Sequence, residues 1–249
     1  MSGHSKWSTI KRKKGAKDAQ RSRMFSKLIR EITVAARLGG GDAEGNPRLR
    51  LAVGKARDAN MPADNIKRAI QKGTGELEGV HYEEVVYEAY GPGGVALLIE
   101  TLTDNRNRTV GEIRHVLDRR GGKLAATGAV GHLFALKGYI AVDRAAADED
   151  TVMGAAIEAG AEDVRTDADG YEILTAPADL EGVVAQLKTA GLAYETAELS
   201  RLPASTVRLE GKTAHSMLQL MDALEELDDV QKIHANFDIP EEEMAKADS

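Results

Sequence analysis

Apolar positions in the first third of the chain recur at helical spacing. From Ala16 to Leu38, the residues Phe25, Leu28, Ile29, Ile32 and Ala36 fall on one stripe, which predicts a helix with a single buried face. At 100° per residue, Arg23, Lys27, Arg30 and Arg37 lie opposite that stripe, so a solvent-facing basic ridge is expected. Gly39-Gly40-Gly41 should end this helix. A second helix is expected after Pro47, with Leu49, Ala52, Val53 and Ala56 inward. A third follows Met61-Pro62, with Ile66, Ala69 and Ile70 inward, and stops at Lys72-Gly73-Thr74-Gly75.

Beyond about residue 80 the period changes. Val85 to Tyr90 and Val95 to Thr103 read as strands around a Gly91-Pro92-Gly93-Gly94 turn, and Thr109 to Arg119 as a helix closed by Gly121-Gly122. The next stretch alternates: strand Gly138 to Val142, helix Glu149 to Ala159, short strand Asp163 to Thr166, strand Tyr171 to Thr175, helix Asp179 to Ala190 and strand Tyr194 to Leu199. That order is βαββαβ, the split arrangement of ferredoxin-like folds. The segment around Thr206 to Leu209, a helix from Ala214 to Leu227 and a strand from Gln231 to Phe237 lack local partners, so they should complete a sheet with the strands near residues 85 to 103. The fold class expected is therefore α+β. A three-helix domain over residues 1–78 precedes two ferredoxin-like α/β domains, of which the third (136–203) is inserted into a discontinuous second (79–135 plus 204–239). Residues 240–249 read as an acidic, frayed tail.

Charge divides the chain along the same line. Its 249 residues carry a net charge of -7, but residues 1–80 hold 18 Lys/Arg against 8 Asp/Glu, and the remainder 15 against 32. The first 30 residues hold ten basic side chains and one acid, Asp18. A polyanion-binding part joined to a part that stays off polyanions is the reading this supports. The glycine-bearing joint from Gly73-Thr74-Gly75 onward is expected to permit domain motion, with like charge pushing the acidic domains outward from a bound polyanion. The absence of cysteine rules out disulfides, thiolate metal sites and a cysteine nucleophile. No apolar run approaches the ~20 residues of a membrane span, and no apolar segment follows the basic N-terminus as in a signal peptide, so a cytoplasmic protein without membrane contact is expected.

Three constellations are candidates for chemistry. Gly3-His4-Ser5-Lys6-Trp7 and Lys11-Arg12-Lys13-Lys14, continuing through Lys17, Arg21, Arg23, Lys27 and Arg30, suit sequence-independent phosphate contact. Trp7 either stacks on a base or packs on the first helix. Asp104-Asn105-Arg106-Asn107-Arg108-Thr109 stands at a strand end and a helix start. Its Arg106 and Arg108 either hold an anion or partner, or pair with Glu88, Glu100 or Glu112 while Asn107 or Thr109 caps the helix. An enzyme using a phosphate-bearing substrate at this loop is the alternative function. The six histidines have no metal-ligand spacing and no nucleophile motif occurs, so no metal, cofactor or catalytic residue is assigned.

Several stretches resemble one family. GHSKW (3–7), FSKLIREI (25–32), NPRLRLA (46–52), NMPADNIKRAIQKGTG (60–75), YEAYGPGGV (87–95), LTDNRNR (102–108) and LEELDDV (224–230) are similar to the YebC/PmpR family, which includes the mitochondrial translational activator of cytochrome c oxidase subunit I. The resemblance implies a three-domain α+β fold without catalytic activity. It also implies a regulator of gene expression that is either a DNA-binding transcriptional regulator or a ribosome-associated translation factor. The sequence has no helix-turn-helix, zinc finger or basic zipper, and a basic arm leading into a basic helix suits RNA, so ribosomal RNA is the favoured partner of a monomeric chain.

Overall fold

A computed structural model of the chain describes residues 18–167, 170–240 and 243. Helix α1 (Asp18–Gly39), α2 (Pro47–Asp58) and α3 (Ala63–Thr74) pack around Ile32, Leu49, Ala56, Ile66 and Ala69. Buried Asn46 fixes the first corner. Its side-chain oxygen accepts from the N–H of Leu49 at the start of α2, while its amide donates to the carbonyls of Ala35 (2.8 Å) and Gly40 (2.9 Å) at the end of α1. The second corner closes α2 with paired bonds, Asn60 N–H to Arg57 O and Met61 N–H to Ala56 O, with Asn60 at φ 57° and Met61 buried. Asparagine tolerates that left-handed conformation better than most residues.

Where α3 crosses α1, Gly73 is buried, and a Cβ added there would lie 2.7 Å from Ala36 Cβ and press on the Thr33 carbonyl. The glycine therefore serves close helix packing, so Gly73 is part of the helical core and the joint begins after it, at Gly75.

Strands β1 (Glu83–Tyr90) and β2 (Ala96–Thr103) form the predicted hairpin, followed by α4 (Arg106–Arg119) and the two-residue β3 (Lys123–Leu124). Next come β4 (Phe134–Asp143), α5 (Glu149–Glu158), β5 (Asp163–Thr166), β6 (Gly170–Thr175), α6 (Leu180–Thr189) and β7 (Thr196–Pro203). These strands pair antiparallel in the order β5-β6-β4-β7, over a core of Ile140, Val142, Val152, Ile173, Val183 and Leu187. That is the order a split βαββαβ winding produces.

The chain then passes through β8 (Val207–Arg208), α7 (Gly211–Glu225), β9 (Val230–Ala235) and β10 (Phe237–Asp238). Strand β9 adds to β2, giving the antiparallel order β3-β1-β2-β9. Leu97 and Ile99 face Ile113 and Leu117 of α4 and Met217, Leu220 and Leu224 of α7. On the opposite face, Leu98 meets Val130 and Phe134. One part of the sequence reading is corrected: β8 does not enter this sheet but pairs in parallel with β10. Two-residue strands carry no readable period, which is also why β3 is invisible in the sequence.

Candidate nucleic-acid interface

His4, Lys6, Trp7, Lys11, Arg12, Lys13, Lys14 and Lys17 lie outside the described residues. Arg21 is exposed, its guanidinium 5.5 Å from the Phe25 ring centre. The remaining cations of α1 do not form the expected solvent-facing ridge. Arg23 pairs with Glu226 at 3.3 Å, Lys27 donates to the Glu225 carbonyl at 2.7 Å, and Arg30 holds both the Asp228 carbonyl and the Asp229 carboxylate, the latter at 2.8 Å. Arg37 donates to the Tyr82 carbonyl. Positions 23, 27, 30, 34 and 37 make a second helical stripe, and Val34 on it is fully buried. This stripe meets the acidic end of α7 rather than water. The visible signal was Val34, an apolar residue placed among cations.

Asp229 is the centre of that contact. It is 2% exposed, and its carboxylate accepts from Arg30 of α1, from Arg108 at 2.7 Å and Thr109 at 2.6 Å of α4, and from the Thr103 hydroxyl at 3.2 Å at the end of β2. Burial alone would raise its pKa, but the hydrogen bonds from Thr109 and Arg108 and the charge of Arg30 carry it below the ordinary carboxylate value. Three of the stretches that carry the family resemblance, FSKLIREI, LTDNRNR and LEELDDV, thus converge on one ion cluster between the helices and the first sheet.

The Asp104–Thr109 loop belongs to the same cluster, and carboxylates of this chain hold both of its arginines. Arg108 pairs with Asp104 and Asp229, and Arg106 with Glu83, so neither arginine takes Glu88, Glu100 or Glu112 as partner. The helix cap is Asn105, whose side chain accepts from Arg108 N–H at 3.1 Å, rather than Asn107 or Thr109. Glu88, on the far face of β1, instead accepts the backbone N–H groups of Gly128, Val130 and Gly131 and pins that loop to the sheet.

Helix α2 reaches the inserted sheet region. Arg50 pairs with Glu181 of α6 at 3.1 Å, and Lys55 with Glu198 of β7 at 2.8 Å, where Lys232 of β9 also reaches the carboxylate. Burial opposes ionisation of Glu198, yet the two ammonium groups hold its pKa far below the usual carboxylate range. Within the molecule the helices carry the opposite sign and hold these acidic regions. In the sequence the acidic pair Asp228-Asp229 reads as a solvated face beside a helix, which buried Asp229 corrects, and Glu198 gives no signal, since an acid in an acid-rich segment looks solvated until its distant partner is known. Among the described residues no group of His, Cys, Asp and Glu is placed to hold a metal ion, and no helix is long and apolar enough to cross a membrane.

Comparison with known proteins accounts for this architecture. Residues 5–76 match the family model described as the TACO1/YebC protein N-terminal domain, and residues 82–237 the model described as the TACO1/YebC second and third domain. A probable transcriptional regulatory protein of Desulforapulum autotrophicum is 55% identical over 97% of this chain and 98% of its own length. One from Acidithiobacillus ferrooxidans is 56% identical over 100% and 99%. The crystal structure of a conserved hypothetical protein from Aquifex aeolicus superposes with a TM-score of 0.82 at 52% identity, covering 90% of this chain and 93% of that one. With both family models matched in order and the same fold in a solved relative, the chain belongs to the TACO1/YebC family.

Proposed function

We propose that this protein is a non-enzymatic regulator of gene expression that binds nucleic acid through its basic N-terminal arm. The observation that carries the reading is how nine of the first ten cations divide. Arg23, Lys27 and Arg30 are taken by Glu226, Glu225 and Asp229, whereas Lys6, Lys11, Arg12, Lys13, Lys14 and Lys17 lie in a stretch of 17 residues without a single acid. Such a stretch is drawn to a phosphate backbone, and each contact releases counterions.

RNA is the favoured partner, ribosomal RNA in particular, because a basic arm contacts shape and phosphates without a recognition helix. The second reading is a DNA-bound transcriptional regulator, favoured by the names of the relatives. Catalysis at the Asp104–Thr109 loop has less support, because its charged groups neutralise one another. Crosslinking in cells followed by sequencing of both nucleic acids is the test. Enriched ribosomal RNA supports the favoured reading, enriched promoter DNA the second, and enrichment of neither rejects both.

A further inference from the structure

Sorting the cations of the helical region by what they touch separates two groups. Arg23, Lys27, Arg30 and Arg37 of α1 and Arg48, Arg50 and Lys55 of α2 each hold a carboxylate or a carbonyl of this chain. Arg57, Lys67, Arg68 and Lys72 are not buried, and none forms an ion pair among the described residues. Lys67, Arg68 and Lys72 fan over the outward face of α3, opposite buried Ile66, Ala69 and Gly73. Arg57 occupies the last turn of α2, just before the corner that leads into α3.

A solvated helix face usually interleaves its charges, as α4 does with Glu112, Arg114, Asp118 and Arg119. From Arg57 to Lys72 there are four cations against two acids, Asp58 and Asp64, and no cation is neutralised by a partner among the described residues. Packing accounts for Asn60, Met61, Ile66, Ala69, Gly73 and Gly75 of the stretch NMPADNIKRAIQKGTG, but leaves Lys67 and Arg68 without a role.

We propose that the outward face of α3, together with Arg57, is a second phosphate-contacting surface for nucleic acid, separate from the arm. The inference rests on the nucleic-acid reading above. Lys67, Arg68 and Lys72 lie within ~7.5 Å of helix rise, so a phosphate backbone passing along α3 meets several of these cations together. The remainder of the chain is acidic, with 15 basic against 32 acidic residues, whereas this face and the arm carry the sign that suits a polyanion.

The test uses the full chain and two fluorescent probes of about 20 residues per strand, a polyuridine RNA and an RNA duplex, titrated by anisotropy from ~50 to ~300 mM salt. The variant K67A/R68A/K72A should weaken binding about tenfold at ~100 mM salt and lower the salt slope by about 2, or ~0.7 to ~0.9 per contact. Asp64→Asn, which removes the acid on the same face, should tighten binding about twofold, a gain that misfolding does not produce. If K67A/R68A/K72A keeps the original affinity and slope while K11A/R12A/K13A/K14A loses both, the α3 face is not a contact and the nucleic-acid reading stands. If the unaltered chain shows no salt-dependent binding to either probe, that reading fails and the inference with it.

Discussion

Single carboxylates carry opposite consequences in this molecule according to what surrounds them. Asp229→Ala removes the shared acceptor of Arg30, Arg108, Thr109 and Thr103 and leaves two guanidinium groups facing an emptied site. Breaking a buried pair from one side costs about 3–5 kcal/mol, and a fall of that size in urea-unfolding stability is expected. Acid should act on the same groups. Burial opposes ionisation of Glu88, Glu100 and Asp229, but the backbone N–H groups of Gly128, Val130 and Gly131, the pair His234 and Arg201, and the Thr109–Arg108 cluster each prevail, with Glu100 lowered to about 2. A lowered folded-state pKa adds stability above the unfolded value, near 4.5 for Glu and 3.8 for Asp, and that stability is lost as pH falls through the folded value. Thermal stability should therefore drop between about pH 4.5 and 2.

Glu172 has the opposite sign. It is 4% exposed, and burial raises its pKa, only partly offset by the Tyr139 hydroxyl 3.0 Å away and the charge of Arg165. Its ionised form disfavours folding as pH rises above the unfolded value. Glu172→Gln, which still accepts from Tyr139, should raise the melting temperature at pH 7 and leave it unchanged at pH 3; a fall at pH 7 would contradict the assignment.

At the scale of elements, two helix glycines test how tightly α1, α2 and α3 are joined. A methyl at Gly73 would meet Ala36 Cβ at 2.7 Å, so Gly73→Ala should force α1 and α3 apart and destabilise by about 1–3 kcal/mol. Gly54 on α2 has nothing within 4 Å of an added Cβ. There Gly→Ala should stabilise by about 0.5–1 kcal/mol through backbone entropy and helix propensity. Chemical denaturation of the two variants checks both signs. Helices α1, α2 and α3 were legible in the sequence because the period of 3.6 and the glycine and proline stops are local signals. The start of α4 at Arg106 was not, because the residue that sets it, Asn105, is identified by a bond its side chain makes.

For the whole molecule, complementary charge holds the helices to the sheets. Arg23–Glu226, Arg30–Asp229, Arg50–Glu181 and Lys55–Glu198 join segments far apart in sequence. A fragment of residues 80–249 keeps both sheet cores but loses the cations of α1 and α2 that face Asp229 and Glu198. It should fold, melt below the full chain, and recover part of the difference in high salt, where uncompensated acids are screened. A fragment as stable as the full chain would show that these pairs contribute little. In the full chain, K11A/R12A/K13A/K14A should lower the nucleic-acid salt slope by ~0.7 to ~0.9 for each phosphate released from the arm, without a change in melting temperature.

The sequence by itself determined what depends on near neighbours. The three helices with their stops, the hairpin, the βαββαβ winding and the basic first third against an acidic remainder are all set by residues a few positions apart. The return of β9 to β2 was inferred because an orphan strand must find hydrogen-bond partners. Only the tertiary structure decided what each charge does. Arg30 and Lys67 are equally cationic helix residues in the sequence, yet one is held against buried Asp229 and the other is open to water. Coulomb attraction and desolvation act through space, so the role of a charged side chain is fixed by the partner that folding brings to it, nearly 200 residues away in the case of Arg30 and Asp229.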